Sequence, residues 1–278
     1  NNQSEKALSS LQQTMDNLYK LPERQQFFTK YFYFILRKEA DKAHAVCKMW
    51  ADLYPEDIQA HTMLAESFKK QDKMSYAIAE YKIILELDQQ QFNIVRVLGD
   101  LYEQSAKYDS AAYYYGLYAR QFPDDFKSYR DLGELYMLMT DFSKAKENFD
   151  KALLIDPANI SVMLALANLE IRNGNFKHAT DLFQAALSSS KSSSDSSKVY
   201  FGIDSYYELR GQMKKSLENH LLGMDAFARN NPPKNVLVQS TFSVEKYVLA
   251  GKKDAALELL EKIEKEFQPP LDKVAAFG

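Results

Sequence analysis

The chain has 278 residues, 46% of them hydrophobic, and a formal net charge of -3; that is apolar enough to bury a continuous core and too apolar for a disordered chain. Only 9 glycines and 8 prolines leave too few turn residues for an all-β sandwich. The near-neutral charge, with only isolated pairs such as Lys214-Lys215 and Lys252-Lys253, argues against nucleic acid as a partner, and no run reaches the roughly 18 apolar residues of a membrane-inserted helix.

The chain opens on the polar Asn1-Asn2-Gln3-Ser4-Glu5, with no signal peptide, a start that reads as cut from a longer protein. Residues 4–20 place Leu8, Leu11, Met15 and Leu18 on one face. That spacing predicts an amphipathic helix, and residues 1–23 read as part of a truncated repeat. From Arg24 a mid-helix alanine recurs every 34 residues, at Ala43, Ala77, Ala111, Ala145 and Ala179. Pro55, Pro123 and Pro157 keep the same phase, with Gln89 standing at the one skipped joint. Five regular helix pairs are predicted over residues 24–187. The first is unusually aromatic, with Phe27, Phe28, Tyr31, Phe32, Tyr33 and Phe34 in its first helix. That helix reads either as an exposed partner or membrane surface or as a helix buried on both sides, and the second is expected. Residues 188–197 are almost all serine and predict a flexible loop. Residues 198–278 hold two degenerate pairs and a tail. One runs through Tyr200, Ile203, Tyr207, Gly211, Met213 and Leu217 to Pro232-Pro233. The other runs through Phe242, Tyr247, Gly251, Ala256, Leu260 and Ile263 to Gln268-Pro269-Pro270.

The best-formed unit, Phe126 to Asn159, reads Tyr129-Arg130-Asp131-Leu132-Gly133-Glu134-Leu135-Tyr136, then Ala145, Phe149, Ala152 and Pro157. Leu132, Gly133 and Tyr136 share one stripe of the first helix. Gly133 and Ala145 let the two helices approach, where larger side chains would overpack. Tyr136 and Phe149 fill the remaining space, and Pro157 follows the second helix because it cannot continue it.

The period of 34 and these letters resemble the tetratricopeptide repeat family over nearly the whole chain. The resemblance implies an all-α fold, a right-handed superhelical solenoid of about seven antiparallel helix pairs. It also implies a protein or peptide partner held in a concave groove lined by first helices. Carried over position by position, the groove residues are Thr62 and Glu66; Arg96, Asp100 and Glu103; Arg130, Glu134 and Met137; Leu164, Asn168 and Arg172; Phe201 and Ser205. Members that clamp a terminal carboxylate use lysine and asparagine at places where Thr62, Arg96 and Arg130 stand, so carboxylate clamping is not expected. The asparagine ladder of other members is reduced to Asn168. Arg96 and Arg130 would meet partner carboxylates or be neutralised by Asp100 and Glu134 one turn on, the latter being expected. A narrower likeness runs through Leu21-Pro22-Glu23-Arg24, Tyr31 to Phe34 and Leu53-Tyr54-Pro55-Glu56-Asp57. It resembles the repeat regions of bacterial serine/threonine kinases and winged-helix regulators.

No catalytic, metal or cofactor motif emerges. His44, His61, His178 and His220 have no second histidine at helical spacing. His61 and His220 sit in aromatic slots as core fillers; His44 and His178 fall on outer faces. The single cysteine, Cys47, excludes an intrachain disulfide or a multi-cysteine zinc site and reads as an inert buried thiol. The expected role is a non-enzymatic protein–protein interaction scaffold. The alternatives are the regulatory arm of a larger bacterial kinase or transcription regulator and a module that self-associates through its terminal repeats. A cytoplasmic location is expected, with a periplasmic domain of a longer protein as the alternative.

Overall fold

The computed structural model of the chain describes residues 2–267, and all regular structure among them is helical. Two compact units emerge, Asn1–Pro123 and Asp124–Gly278. The first holds α1 (Asn2–Asp16), α2 (Glu23–Leu36), α3 (Ala40–Leu53), α4 (Ile58–Lys70), α5 (Met74–Leu87), α6 (Phe92–Gln104) and α7 (Tyr108–Gln121). The second holds α8 (Phe126–Leu138), α9 (Phe142–Ile155), α10 (Ile160–Arg172), α11 (Phe176–Ser189), α12 (Ser193–Leu209), α13 (Met213–Ala228), α14 (Pro233–Leu249) and α15 (Lys253–Phe267).

The repeat is written most sharply in the backbone. Left-handed residues stand at Lys38, Asp72, Ala106, Thr140, Gly174, Gly211 and Gly251. Successive spacings are 34, 34, 34, 34, 37 and 40. Each ends the first helix of a pair with the same double hydrogen bond. At Thr140, for example, its own N–H donates to Met137 O (3.2 Å) and the N–H of Asp141 donates to Tyr136 O (2.9 Å). Four of these seven positions are not glycine, and a left-handed conformation costs such residues about 1–2 kcal/mol each. The joints from one pair to the next are capped by side chains. Asp57, Asp125 and Asn159 accept from the backbone N–H of Gln59, Lys127 and Val162, each cap contributing about 1 kcal/mol.

Inside the pairs α6–α7 and α8–α9 a small residue faces a ring. A Cβ built on Gly133 would lie 2.5 Å from the Phe149 ring, and one on Gly99 would collide with the Tyr115 ring. The five periodic alanines are all at most 1% exposed. In α2 the aromatic run is covered on both sides. Phe27 stacks on Trp50 at 5.5 Å between centroids, and the buried Tyr33 donates to Gln12 Oε1 of α1 at 2.7 Å. Only Phe32 of the run stays exposed.

Two expectations need correction. The helix predicted over 4–20 ends at Asp16, and Leu18–Lys20 form a short 3-10 turn. The serine-rich segment 188–197 is not a flexible loop: α11 reaches Ser189 and α12 begins at Ser193. Ser192 accepts from Asp195 N at 3.1 Å and donates to Asp195 Oδ2 at 2.8 Å, a reciprocal cap that starts the helix. Ser197 is buried and donates to Gly223 O at 3.0 Å. The interruption in phase is taken up by helix instead, since α12 has 17 residues where α10 has 13. Gln268-Pro269-Pro270, expected to close the last pair, lie outside the described residues.

Candidate partner-binding face

In the first unit the first-helix positions run through α2, α4 and α6. Thr62 is turned inward on its own helix, donating to Ile58 O at 2.7 Å. Glu66 is half-buried and accepts from the Tyr81 hydroxyl and from Lys69 Nζ at 3.0 Å. Burial alone would raise its carboxyl, but those hydrogen bonds outweigh it and hold the group below its ordinary range. Burial, then the Glu66 carboxylate, pushes the Tyr81 phenol far up, so it stays a donor.

One period later the arrangement doubles. Because Gly99 has no side chain, the Tyr115 ring lies across α6. Its hydroxyl reaches Asp100 Oδ1 at 2.7 Å and Glu103 Oε2 at 2.8 Å. A phenol has one proton to donate, so these two half-buried carboxylates share it. Neither forms an ion pair among the described residues. Arg96, one turn before, is half-buried and engaged. One period before Thr62 and Glu66 stand Phe28 and Phe32, with ring centroids 6.4 Å apart and Phe32 48% exposed. The face therefore carries rings on α2 and, on α6, two carboxylates bonded to a phenol and to no cation among the described residues.

In the second unit, Arg130 donates to the buried Asp131 from Nη2 at 2.7 Å and from Nε at 3.1 Å. Glu134, expected to be its i, i+4 partner, stands at 3.9 Å. The adjacent acid therefore takes the stronger contact. Asn168 and Arg172 are exposed. Met137 and Leu164 instead pack against core clusters. Phe201 lies over Gly223 and 5.5 Å from the His220 ring. Ser205 donates to Phe201 O at 3.1 Å within its own helix. These four positions serve packing or their own helix.

A buried polar network in the second unit was not foreseen. Asp204 of α12 accepts from Ser216 at 2.6 Å and from Lys246 at 2.9 Å, and meets His220 Nδ1 at 3.0 Å. His220 Nε2 meets Ser243 Oγ at 2.9 Å, and Lys246 also donates to Glu208 at 2.7 Å. Burial alone would raise the Asp204 carboxyl, but these donors hold it below its ordinary value. Burial alone would lower the Lys246 ammonium, but Glu208 and Asp204 hold it high. The connectivity Ser243–His220–Asp204 has the order of a hydrolytic triad. Ser243 is 3% exposed, however, so the network joins α12, α13 and α14 and offers no nucleophile to a substrate. Elsewhere His61 is held between Glu80 (2.7 Å) and Pro55 O (2.9 Å). His178 reaches the buried Glu170 at 3.1 Å. His44, expected on an outer face, is half-buried and bonded to Ser67 at 2.8 Å. Among the described residues no group of three or more histidine, cysteine or acidic side chains is placed to hold a metal. No described helix is long and apolar enough to cross a membrane.

Residues 126–159 match the family model of the tetratricopeptide repeat. No curated protein matches the chain in sequence. Among solved structures, a tetratricopeptide repeat protein from Parabacteroides merdae is 18% identical, with a TM-score of 0.62 over 88% of this chain and 94% of that one. PilF of Pseudomonas aeruginosa is 17% identical, with a TM-score of 0.52 over 74% of this chain and 90% of that one. MamA residues 41 to end from Desulfovibrio magneticus are 19% identical, with a TM-score of 0.51 over 58% and 90%. Residues 126–159 are thus a tetratricopeptide repeat, and the chain shares the fold of these repeat proteins.

Proposed function

We propose that the protein binds a protein or peptide partner along its first-helix face, and that the partner presents a basic side chain to Asp100 and Glu103. The observation that carries this reading is the pair of half-buried carboxylates sharing one Tyr115 proton, with no ion pair to either among the described residues. Two anions on one donor gain from an incoming ammonium or guanidinium. Phe28 and Phe32 supply apolar surface on the same face. The test is capture from lysate of the source organism. It compares the native protein with Asp100→Asn/Glu103→Gln and with Phe32→Ala. A partner held by the first, released by added salt and lost from the variants supports the reading. A partner held equally by all three overturns this placement of the site.

A second reading, self-association, is favoured by α14. Val238, Phe242 and Leu249 recur there at helical spacing and are exposed, Phe242 by 59%. Such a stripe buries itself against a neighbour where one is offered. Light scattering that finds a monomer at every concentration would remove it.

A further inference from the structure

The first unit holds a cleft of about 520 Å³ between α5, α6 and α7, within the roughly 300–1,000 Å³ usual for ligand sites. Its apolar walls include Phe92, Val95, Tyr113, Tyr114 and Leu117, with Gln89 and Arg120 also lining it. The periodic register explains why it is there. Position 95 is one period after 61 and two after 27, so Val95 occupies the slot filled by Phe27 and His61 and, further along the chain, by Tyr129. Phe27 fills that slot by stacking on Trp50. His61 fills it by bridging Glu80 and Pro55 O. At the equivalent places around Val95 stand Tyr114 and Gln89, so the bridge has no counterpart and the ring is missing.

We propose that this cleft receives an aromatic side chain of a peptide partner, with a neighbouring acidic side chain of that peptide on Arg120. The ring completes a slot that this chain fills for itself in the adjacent repeats. The acid follows from charge: Arg120 is the one lining residue with a formal charge. It is exposed and forms no ion pair among the described residues. The amide of Gln89 supplies a donor and an acceptor that suit a peptide backbone rather than a lone hydrocarbon. None of the first-helix-face residues lines the cleft, so this site stands or falls separately from the one above.

The test is a nuclear magnetic resonance titration with acetyl-Gly-Phe-Glu-Gly-amide. Shifts should localise to Gln89, Tyr113 and Tyr114. Replacing the peptide's Phe by Ala should abolish them. Replacing its Glu by Gln, or Arg120→Gln in the protein, should weaken binding about fivefold, as for an exposed ion pair. Val95→Phe should restore the slot and abolish binding. Asp100→Asn/Glu103→Gln should bind the probe like the native protein. Arg120→Gln lies on the surface and keeps the test independent of whether Val95→Phe folds. Absence of binding to the native protein, equal binding of the Glu and Gln peptides, or undiminished binding by folded Val95→Phe would overturn the proposal.

Discussion

The pair Asp204–His220 permits a direct test of how this array is built. In the regular repeats a small residue faces a ring 16 positions later, as Gly99 faces Tyr115 and Gly133 faces Phe149. With the 37-residue step between the turns at Gly174 and Gly211, position 204 falls on that small slot and position 220 on the ring slot. An aspartate and a histidine have replaced the pair, with side chains 5% and 4% exposed. Asp204→Gly alone leaves His220 and Ser216 without their acceptor and Lys246 with Glu208 only. Removing one partner of a buried pair costs about 3–5 kcal/mol, and glycine within a helix adds about 1 kcal/mol. Asp204→Gly/His220→Phe recreates the Gly133–Phe149 pairing. The Ser216 and Ser243 hydroxyls can then turn to carbonyls of their own helices, so the double variant should lie within about 2 kcal/mol of the native protein. Urea unfolding followed by helical circular dichroism measures the native protein and both variants. A double variant no more stable than Asp204→Gly would refute the equivalence of the two pairings.

Gly133→Ala should destabilise by about 1 kcal/mol, since overpacking against the fully buried Phe149 outweighs the gain in helix propensity. Gly116→Ala, whose Cβ would meet nothing nearer than Arg120 at 4.0 Å, should instead stabilise by about 0.5–1 kcal/mol; equal effects in thermal melts would contradict the packing argument. Glu170 and Asp204 are both held below their ordinary values of 4.5 and 3.8, so the unfolded chain takes up protons first as pH falls. Their contribution is present above those values and is lost as pH drops through the depressed ones. Melting temperature should therefore fall on acidification, less steeply in Glu170→Gln, and a flat profile would count against it. Burial pushes the Cys47 thiol up to about 12, so iodoacetamide at pH 8 should leave it unmodified until urea unfolds the chain; rapid labelling of the folded protein would show the thiol to be reachable.

The regular repeats were legible because their packing residues are few and fixed in phase. The alanines of the second helices read directly as the buried approach points they are. The turns themselves were largely hidden, because Lys38, Asp72, Ala106 and Thr140 adopt a left-handed backbone without the glycine that signals it. The serine segment misled because composition outweighed position. Ser192 and Asp195 are spaced as a helix start, and that local pairing decided the structure. Asp204 was missed because its slot is found only after adding the extra turn of α12. At the candidate face, the groove residues were identified by phase alone. The carboxylate pair at Asp100 and Glu103 depends on Tyr115, where the same slot one period later holds Phe149. A single hydroxyl separates the two environments.

A chain of like units faces a danger that a single domain does not. The helix pairs are built to one pattern, so their outer faces are alike and docking against the wrong neighbour costs little. The charged junction among α12, α13 and α14 breaks that sameness. An intruding pair bringing no ammonium to Asp204 would leave that buried carboxylate without the Lys246 charge, and one bringing no hydroxyl to His220 would leave its Nε2 without Ser243. Correct assembly leaves neither stranded. The junction thus acts as a key cut into one joint, fixing the order of the last repeats at a place where their sequence has otherwise drifted furthest from the common pattern.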